Sequence, residues 1–287
     1  MSNIPTPFSI LETLLPYLKV AAAYARQIQP AIAALPVKDQ GENFFAAALT
    51  DADLAVQNFM EVALLGTFPQ LRFYGEEYER SSNTKYFRAI DLGPEGDYLV
   101  TLDPIDGTKF YQDGHSNYQI ILSILNRDNY EAAIALSPAE NAYYYALRGE
   151  GAFKGTLDVG LQACASLRIA QPKPVVLLGW GMGLLAPILR KYYEVVDVAT
   201  SYSPKVQIPN FNGIFNGEIA GAVLNYGQFI DGAALAFIAR EAGCIVTTHS
   251  GSPLPPLHTC KDYRFSGLIV ASSATVHQHL VEAAQNL

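Results

Sequence analysis

Leu102-Asp103-Pro104-Ile105-Asp106-Gly107-Thr108 follows directly on an apolar run of β-formers, Tyr98–Leu102. The run reads as a buried strand that ends abruptly at Asp103-Pro104. Two carboxylates three residues apart straddle a proline and precede a glycine, so the chain must turn there and both acids share one small volume. Like charges that close repel strongly at low dielectric, and a dication between them is the natural remedy. Ligation by oxygen alone points to Mg²⁺, or to Mn²⁺, rather than to zinc. The backbone N–H groups of Gly107 and Thr108 would then face an anion beside the metal. Standing alone, the same string could also be an Asx-turn that satisfies its own backbone.

Other acids complete the set. Thr50-Asp51-Ala52-Asp53 opens a helix whose Val56, Phe59/Met60 and Ala63/Leu64 recur at helical spacing on one face, and Asp53 stands where the acid of a capping box belongs. Glu76, in Gly75-Glu76-Glu77, follows the short strand candidate Leu71–Tyr74. Asp231 opens the helix Asp231–Ala242, which Gly243 closes. Each has an ordinary explanation by itself, as a cap or a solvated loop acid.

Taken together, and in this order, they resemble the inositol monophosphatase superfamily. The resemblance runs from about Lys38 to the C-terminus and includes Gly149-Glu150-Gly151-Ala152-Phe153, Gly251-Ser252-Pro253-Leu254 and Leu268-Ile269-Val270-Ala271. Asp-Pro-Ile-Asp-Gly-Thr is its most specific element, and the match is weakest between about Pro172 and Gly217. The resemblance implies an α/β fold, an α+β layered sandwich of the inositol monophosphatase/fructose-1,6-bisphosphatase type in an αβαβα arrangement. It also implies lithium-sensitive, Mg²⁺-dependent hydrolysis of a small phosphate monoester. Glu76, Asp103 and the Ile105 carbonyl would bind a first metal ion, Asp103, Asp106 and Asp231 a second, and Glu76 a loosely held third. Asp53 and Thr108 would orient and deprotonate the attacking water, and the Gly107 and Thr108 N–H groups would hold the phosphate. Attack on phosphorus would be in line, with no phospho-enzyme. A phospho-aspartyl mechanism would want Asp-x-Asp directly after a buried strand, whereas Asp51-x-Asp53 begins a helix.

Substrate choice is less directly written. Inositol-specific members of the superfamily carry an acid about seven residues before the helix-opening aspartate, and Leu224 stands there. Lys109 after Gly-Thr looks more like bisphosphate nucleotidases or histidinol-phosphate phosphatases. Lys109, Leu224 and His115, which follows Gly114 in a loop, are therefore the specificity candidates. Inositol monophosphate is the substrate the family label implies; 3′-phosphoadenosine 5′-phosphate is the main alternative, with sugar and histidinol phosphates behind it. Pro209 argues against a regular helix in Lys205–Gly217. A catalytically silent relative acting as a binding module is the rival from another class.

Composition narrows the field. The 287 residues carry 19 Lys+Arg against 27 Asp+Glu, a net charge of −8, and no basic run longer than Arg190-Lys191, which excludes a nucleic-acid polymer as partner. Half the residues are hydrophobic, yet no uncharged stretch reaches the roughly 20 apolar residues of a bilayer span. With no visible secretory signal, a cytoplasmic protein is expected. Cys164, Cys244 and Cys260 form no C-x-x-C pair and read as buried free thiols. A boundary is expected in Gln171–Pro174, giving an N-terminal half, 1–171, with the metal motifs and a C-terminal half, 172–287, that completes the site in one compact unit. The resemblance also implies a homodimer, which no stripe in the sequence marks. Elsewhere Ser9-x-x-Glu12 suggests a capping box before a proline-interrupted helix, Leu184–Tyr193 a helix, Val195–Thr200 a strand, and Tyr143-Tyr144-Tyr145 a strand with one buried ring.

Overall fold

The computed structural model describes residues 5–32, 48–77, 92 and 98–287. Two helices come first, α1 (Pro7–Ile28) and α2 (Asp51–Thr67). The cap of α1 is Thr6, whose hydroxyl accepts from the Ser9 N–H at 3.1 Å, so the expected box at Ser9 is displaced by one turn. Pro16 lies inside α1. The polar stretch at Arg80–Lys85 and the start of the family resemblance at Lys38 lie outside the described residues.

Seven strands follow: β1 (Arg72–Gly75), β2 (Leu99–Asp106), β3 (Gln119–Leu125), β4 (Tyr130–Ser137), β5 (Ala142–Leu147), β6 (Gly151–Thr156) and β7 (Ala165–Ser166). They form one sheet in sequence order, β1 and β2 parallel and the rest antiparallel. The second half supplies β8 (Val175–Leu178), β9 (Glu194–Asp197), β10 (Gly221–Leu224), β11 (Gly227–Gln228), helix α3 (Gly232–Glu241), β12 (Ile245–Thr247), β13 (Arg264–Phe265), β14 (Leu268–Ala271) and helix α4 (Ala274–Ala284). Its five-stranded sheet has the order β12-β14-β10-β8-β9, and β11 and β13 form a small ribbon.

The period-two alternation of strand side chains sets the layers. Ile120, Leu122 and Ile124 of β3 pack with Leu11, Leu18 and Met60 of the outer helix pair, while Ile121 and Leu125 face the opposite core with Ala234 and Phe237 of α3. That middle core also takes Leu177 and Val270 from the five-stranded sheet, whose other face, Val176, Leu178 and Ile269, packs on Val276 and Leu280 of α4. The order is helix, sheet, helix, sheet, helix, the αβαβα sandwich. Because both faces of the larger sheet are covered, all three of Tyr143, Tyr144 and Tyr145 are buried rather than one. Tyr144 meets Phe215 at 4.8 Å between centroids on the middle-core side, whereas Tyr143 and Tyr145 belong to the α1 side.

Three further expectations are corrected. Between residues 184 and 193 only Ala186–Leu189 is α-helical, preceded by a 3₁₀ turn. Strand β9 stops at Asp197, whose carboxylate accepts from the Ala199 N–H and the Thr200 hydroxyl and caps a helical turn. Of the free cysteines only Cys244 is buried; Cys164 and Cys260 are half-buried. Lys205–Gly217 is irregular except for the turn Gly213–Asn216, as Pro209 requires. Among the described residues, no helix is long and apolar enough to cross a membrane.

Tyr144 has no water-facing side to relax into, so Tyr144→Ala is expected to destabilise the protein by about 3–5 kcal/mol. Chemical denaturation measures this, and a loss below about 1 kcal/mol would place the ring outside the shared core.

Candidate active site

Strand β2 does not end at Asp103. It runs to Asp106, but its register with β3 shifts between these two residues. Pro104 has no N–H to give the ladder, and the Ile105 N–H turns back to Asp103 Oδ1 at 3.1 Å. The local bulge re-aims both carboxylates, and the turn falls at Gly107, whose φ of +83° is left-handed. A Cβ at Gly107 would also lie 3.3 Å from the Asn117 carbonyl oxygen and from Asn210 Nδ2. Gly107 caps the helical turn Thr108–Gln112.

Glu76 sits one residue beyond β1, its N–H continuing the parallel pairing to the Leu102 carbonyl at 3.2 Å, which brings it beside Asp103. The Glu77 N–H donates to Gln57 Oε1 at 2.9 Å, pinning this loop to α2. Asp231 arrives from the other half as the cap of α3, accepting from the Gly232 N–H. Glu76, Asp103, Asp106 and Asp231 line one cavity of about 270 Å³ together with Ile105, Gly107, Thr108 and Lys109.

The electrostatics follow from that convergence. Burial, then the neighbouring Glu76, Asp106 and Asp231, pushes the Asp103 carboxyl well above the usual range. Burial also lifts Asp106 to about 6, opposed by a hydrogen bond that Gln119 Nε2 donates to Oδ2 at 3.0 Å and assisted by Glu76. Asp231 is raised by burial and by Asp106. Among the described residues no three His, Cys, Asp or Glu side chains form a ready-made ion cage, so the acids face one space without closing on it. The donors are nonetheless the right kind for a hard dication: carboxylates and a backbone carbonyl, all oxygen, with repulsion that a cation would relieve.

Beside them, Asp53 is fully buried. Its Oδ2 accepts from the Thr50 N–H at 2.8 Å and from the Thr50 hydroxyl, as a capping box, and its Oδ1 lies 3.1 Å from the Thr108 hydroxyl. Thr108 Oγ1 also lies 2.8 Å from the Ile105 carbonyl oxygen. Of the specificity candidates, Lys109 and Leu224 line the cavity and His115 does not. Lys109 pairs with Asp113 at 3.1 Å. His115 is buried 3.2 Å from the Ser203 carbonyl oxygen and packs its ring near Phe110 and Tyr202. The sequence places His249, His258, His277 and His279 at the surface; His258 is exposed beside Asp128, whereas the other three are half-buried, His249 against the Leu224 carbonyl, His277 against Thr247 and His279 against Tyr193. Trp180, which the sequence leaves open as core or pocket wall, lines the cavity; the sequence does not mark Gln119, Asn210, Phe211 and Tyr226 as site residues. Gln119 comes opposite Asp106 only through the register of β2 on β3, and the others reach the cavity through long-range packing, so no local signal marks them.

The family model for the inositol monophosphatase family matches residues 14–173, more than half of the chain. The chain belongs to the inositol monophosphatase family. It is 36% identical over 163 residues to a protein of Neisseria meningitidis described as a putative Nus factor SuhB, covering 54% of this chain and 59% of that relative. The matched stretch thus spans under two thirds of that relative's length. It is 26% identical over 220 residues to an inositol-1-monophosphatase of Rhizobium meliloti, covering 72% of this chain and 74% of the relative. In structure it resembles an IMPase/NADP phosphatase solved with Mg²⁺ and phosphate, with a TM-score of 0.67, 17% identity, and coverage of 96% and 94%.

A carboxyl whose folded pKa is raised binds its proton more tightly when folded. It therefore favours folding below its ordinary value, and that contribution is lost as pH rises through the folded value. For Asp106 the window runs from 3.8 to about 6. Metal-free protein is expected to lose stability across that window, Asp106→Asn to lose less, and Mg²⁺ to raise the Tm above pH ~6 more in wild type than in the variant. Thermal melts with and without Mg²⁺ check this; identical pH profiles for the two proteins would contradict it.

Proposed function

We propose that the chain is a Mg²⁺-dependent phosphomonoesterase that hydrolyses a small phosphate monoester by direct attack of water. The single observation that carries this reading is the Thr108–Asp53 hydrogen bond at the edge of a cavity lined by Glu76, Asp103, Asp106 and Asp231. The Mg²⁺ and phosphate present in the solved relative named above support it, as does the inositol-1-monophosphatase name of the Rhizobium protein.

Glu76, Asp103 and the Ile105 carbonyl would hold one ion, and Asp103, Asp106 and Asp231 another; Mn²⁺ suits the same oxygen donors. Bound there, the ions supply Lewis-acid chemistry, neutralising phosphate charge and making water more acidic. The chain's own residues do the positioning. Asp53 has one oxygen committed to Thr50, so its other oxygen is aimed at Thr108. The single Thr108 proton has two acceptors, the Ile105 carbonyl at 2.8 Å and Asp53 at 3.1 Å; with the Ile105 oxygen committed to an ion, the proton would turn to Asp53 and the Thr108 oxygen could accept a proton from the attacking water. The water oxygen forms a bond to phosphorus as the ester P–O bond breaks, the proton it gives up passes through Thr108 to Asp53, and the departing alkoxide takes an equivalent proton from solvent water to become the alcohol. Gly107 and Thr108 open a helical turn, so their N–H groups have no acceptor within it and can face the phosphate oxygens.

Within this reading the enzyme is cytoplasmic, lithium-sensitive and homodimeric, with inositol monophosphate as the default substrate and 3′-phosphoadenosine 5′-phosphate, sugar or histidinol phosphates as alternatives. The Nus-factor name of the Neisseria relative favours a second reading, a binding module without catalysis. Retention of Asp53, Glu76, Asp103, Asp106, Thr108 and Asp231 around one seam weighs against it.

Phosphate release from inositol 1-phosphate, 3′-phosphoadenosine 5′-phosphate, fructose 1,6-bisphosphate and histidinol phosphate is the test. Turnover of at least one is expected to require Mg²⁺ and to fall by roughly 10²-fold or more in Asp103→Asn and in Thr108→Ala. Release from none of them by folded protein, with no Mg²⁺ binding by calorimetry, would favour the binding module.

A further inference from the structure

The walls of the cavity differ in chemistry. The acids form one part of its lining and Phe110, Trp180, Phe211, Leu224 and Tyr226 another, with Lys109, Asn210 and Gln228 as further polar groups. This second wall is built firmly. Leu224 is wedged between two glycines, so that a Cβ on Gly179 would lie 2.9 Å from its Cδ2 and one on Gly232 would lie 3.1 Å from its Cδ1. Its carbonyl is held by His249 Nε2 at 2.8 Å. The Phe110 ring meets Tyr202 edge-on at 5.3 Å, and the guanidinium of Arg264 covers the Tyr226 ring at 4.8 Å. Asn210 Nδ2 reaches the Asn117 carbonyl at 3.2 Å, and Asn117 Nδ2 the Ile208 carbonyl at 2.7 Å, which fixes the segment bearing Phe211 beside the Gly107 turn.

A phosphate seated among the acids and their ions must direct its alcohol toward this wall. A ring of hydroxyls set against Leu224 and Phe211 would exchange water for carbon and leave its donors and acceptors unpaired. A flat unsaturated ring would instead stack on or edge against the aromatic side chains. We infer that the leaving alcohol carries a planar aromatic ring rather than a polyol, and that Trp180, Phe211, Leu224 and Tyr226 are the residues that select it. The inference rests on the phosphatase reading for the position of the phosphate and departs from its default substrate, inositol monophosphate, by naming another class of alcohol.

Trp180 is the chain's only tryptophan, so its fluorescence reports occupancy of this wall without turnover. The full-length protein is titrated without metal and with Ca²⁺, using phenyl phosphate, inositol 1-phosphate and inorganic phosphate as probes. Phenyl phosphate is expected to change Trp180 emission and to bind at least tenfold more tightly than inositol 1-phosphate. Leu224→Gln and Tyr226→Ala are each expected to reduce that ratio by threefold or more. Equal or tighter binding of inositol 1-phosphate by the wild type overturns the inference whatever the variants do. Phosphate release with Mg²⁺ is measured in parallel. Ring-selective binding without release from either ester overturns the hydrolytic reading alone, whereas release from both with no ring preference overturns only the ring selectivity.

Discussion

Mutual repulsion among buried carboxylates is the constraint around which the rest of the molecule is arranged. Asp103 is only 4% exposed, in a strand covered on both faces, and its neighbours in charge are Glu76, Asp106 and Asp231. An ordinary core would exclude such a group or neutralise it. Here the strand breaks its own ladder at Pro104, turns through a left-handed glycine, and meets a helix cap delivered by the other half of the chain. Each is a local cost, and the wide hydrophobic cores on either side of the larger sheet offset it. The acids therefore sit at the seam of the two sheets, where packing from both sides resists the repulsion.

Two of the acids have a second job that makes them hard to read one at a time. Asp53 closes a capping box with one oxygen and reaches Thr108 with the other; Asp231 caps α3 while facing the cavity. A carboxylate has more acceptor sites than a helix end needs, so folding and chemistry can share one side chain. Structural and functional explanations of such a residue do not compete. What distinguishes this helix start from an ordinary one is the partner of the remaining oxygen, and that partner lies 55 residues away in sequence.

Legibility in the sequence follows the same division between local and distant causes. Strand β5 and helices α2 and α3 were readable from periodicity, caps and closing glycines, because those signals act within a few residues. Asp-Pro-Ile-Asp-Gly-Thr was readable as a site because it concentrates charge, a missing donor and a forced turn in one string. The continuation of β2 through Pro104 was not readable, since it depends on β3 holding Asp106 opposite Gln119. The burial of all three tyrosines in β5 was not readable either, because period two says which residues alternate but not that both faces are covered. The helix expected over 184–193 failed for a related reason. Its apolar residues are buried, with Leu185 and Leu189 against α4, but in a short turn.

The two walls of the cavity take this division into function. Glu76, Asp103, Asp106, Thr108 and the Gly107 turn come from a strand end and the strand beside it, so one short motif places nearly all the groups that the proposed mechanism sets against a phosphate. Trp180 follows β8, Leu224 ends β10 with Tyr226 just beyond it, and Phe211 lies in the irregular segment before β10, so packing of the second half brings them together. Chemistry at phosphorus needs fixed charges at short range, which a motif can specify, whereas the alcohol only needs a surface of suitable shape and polarity. Such a surface can change residue by residue without disturbing Asp103 or its neighbours. A chain can thus carry the family's Asp-Pro-Ile-Asp-Gly-Thr string intact and still present a different surface beside it, and in this protein the cavity that the acids line is also lined by rings and a leucine.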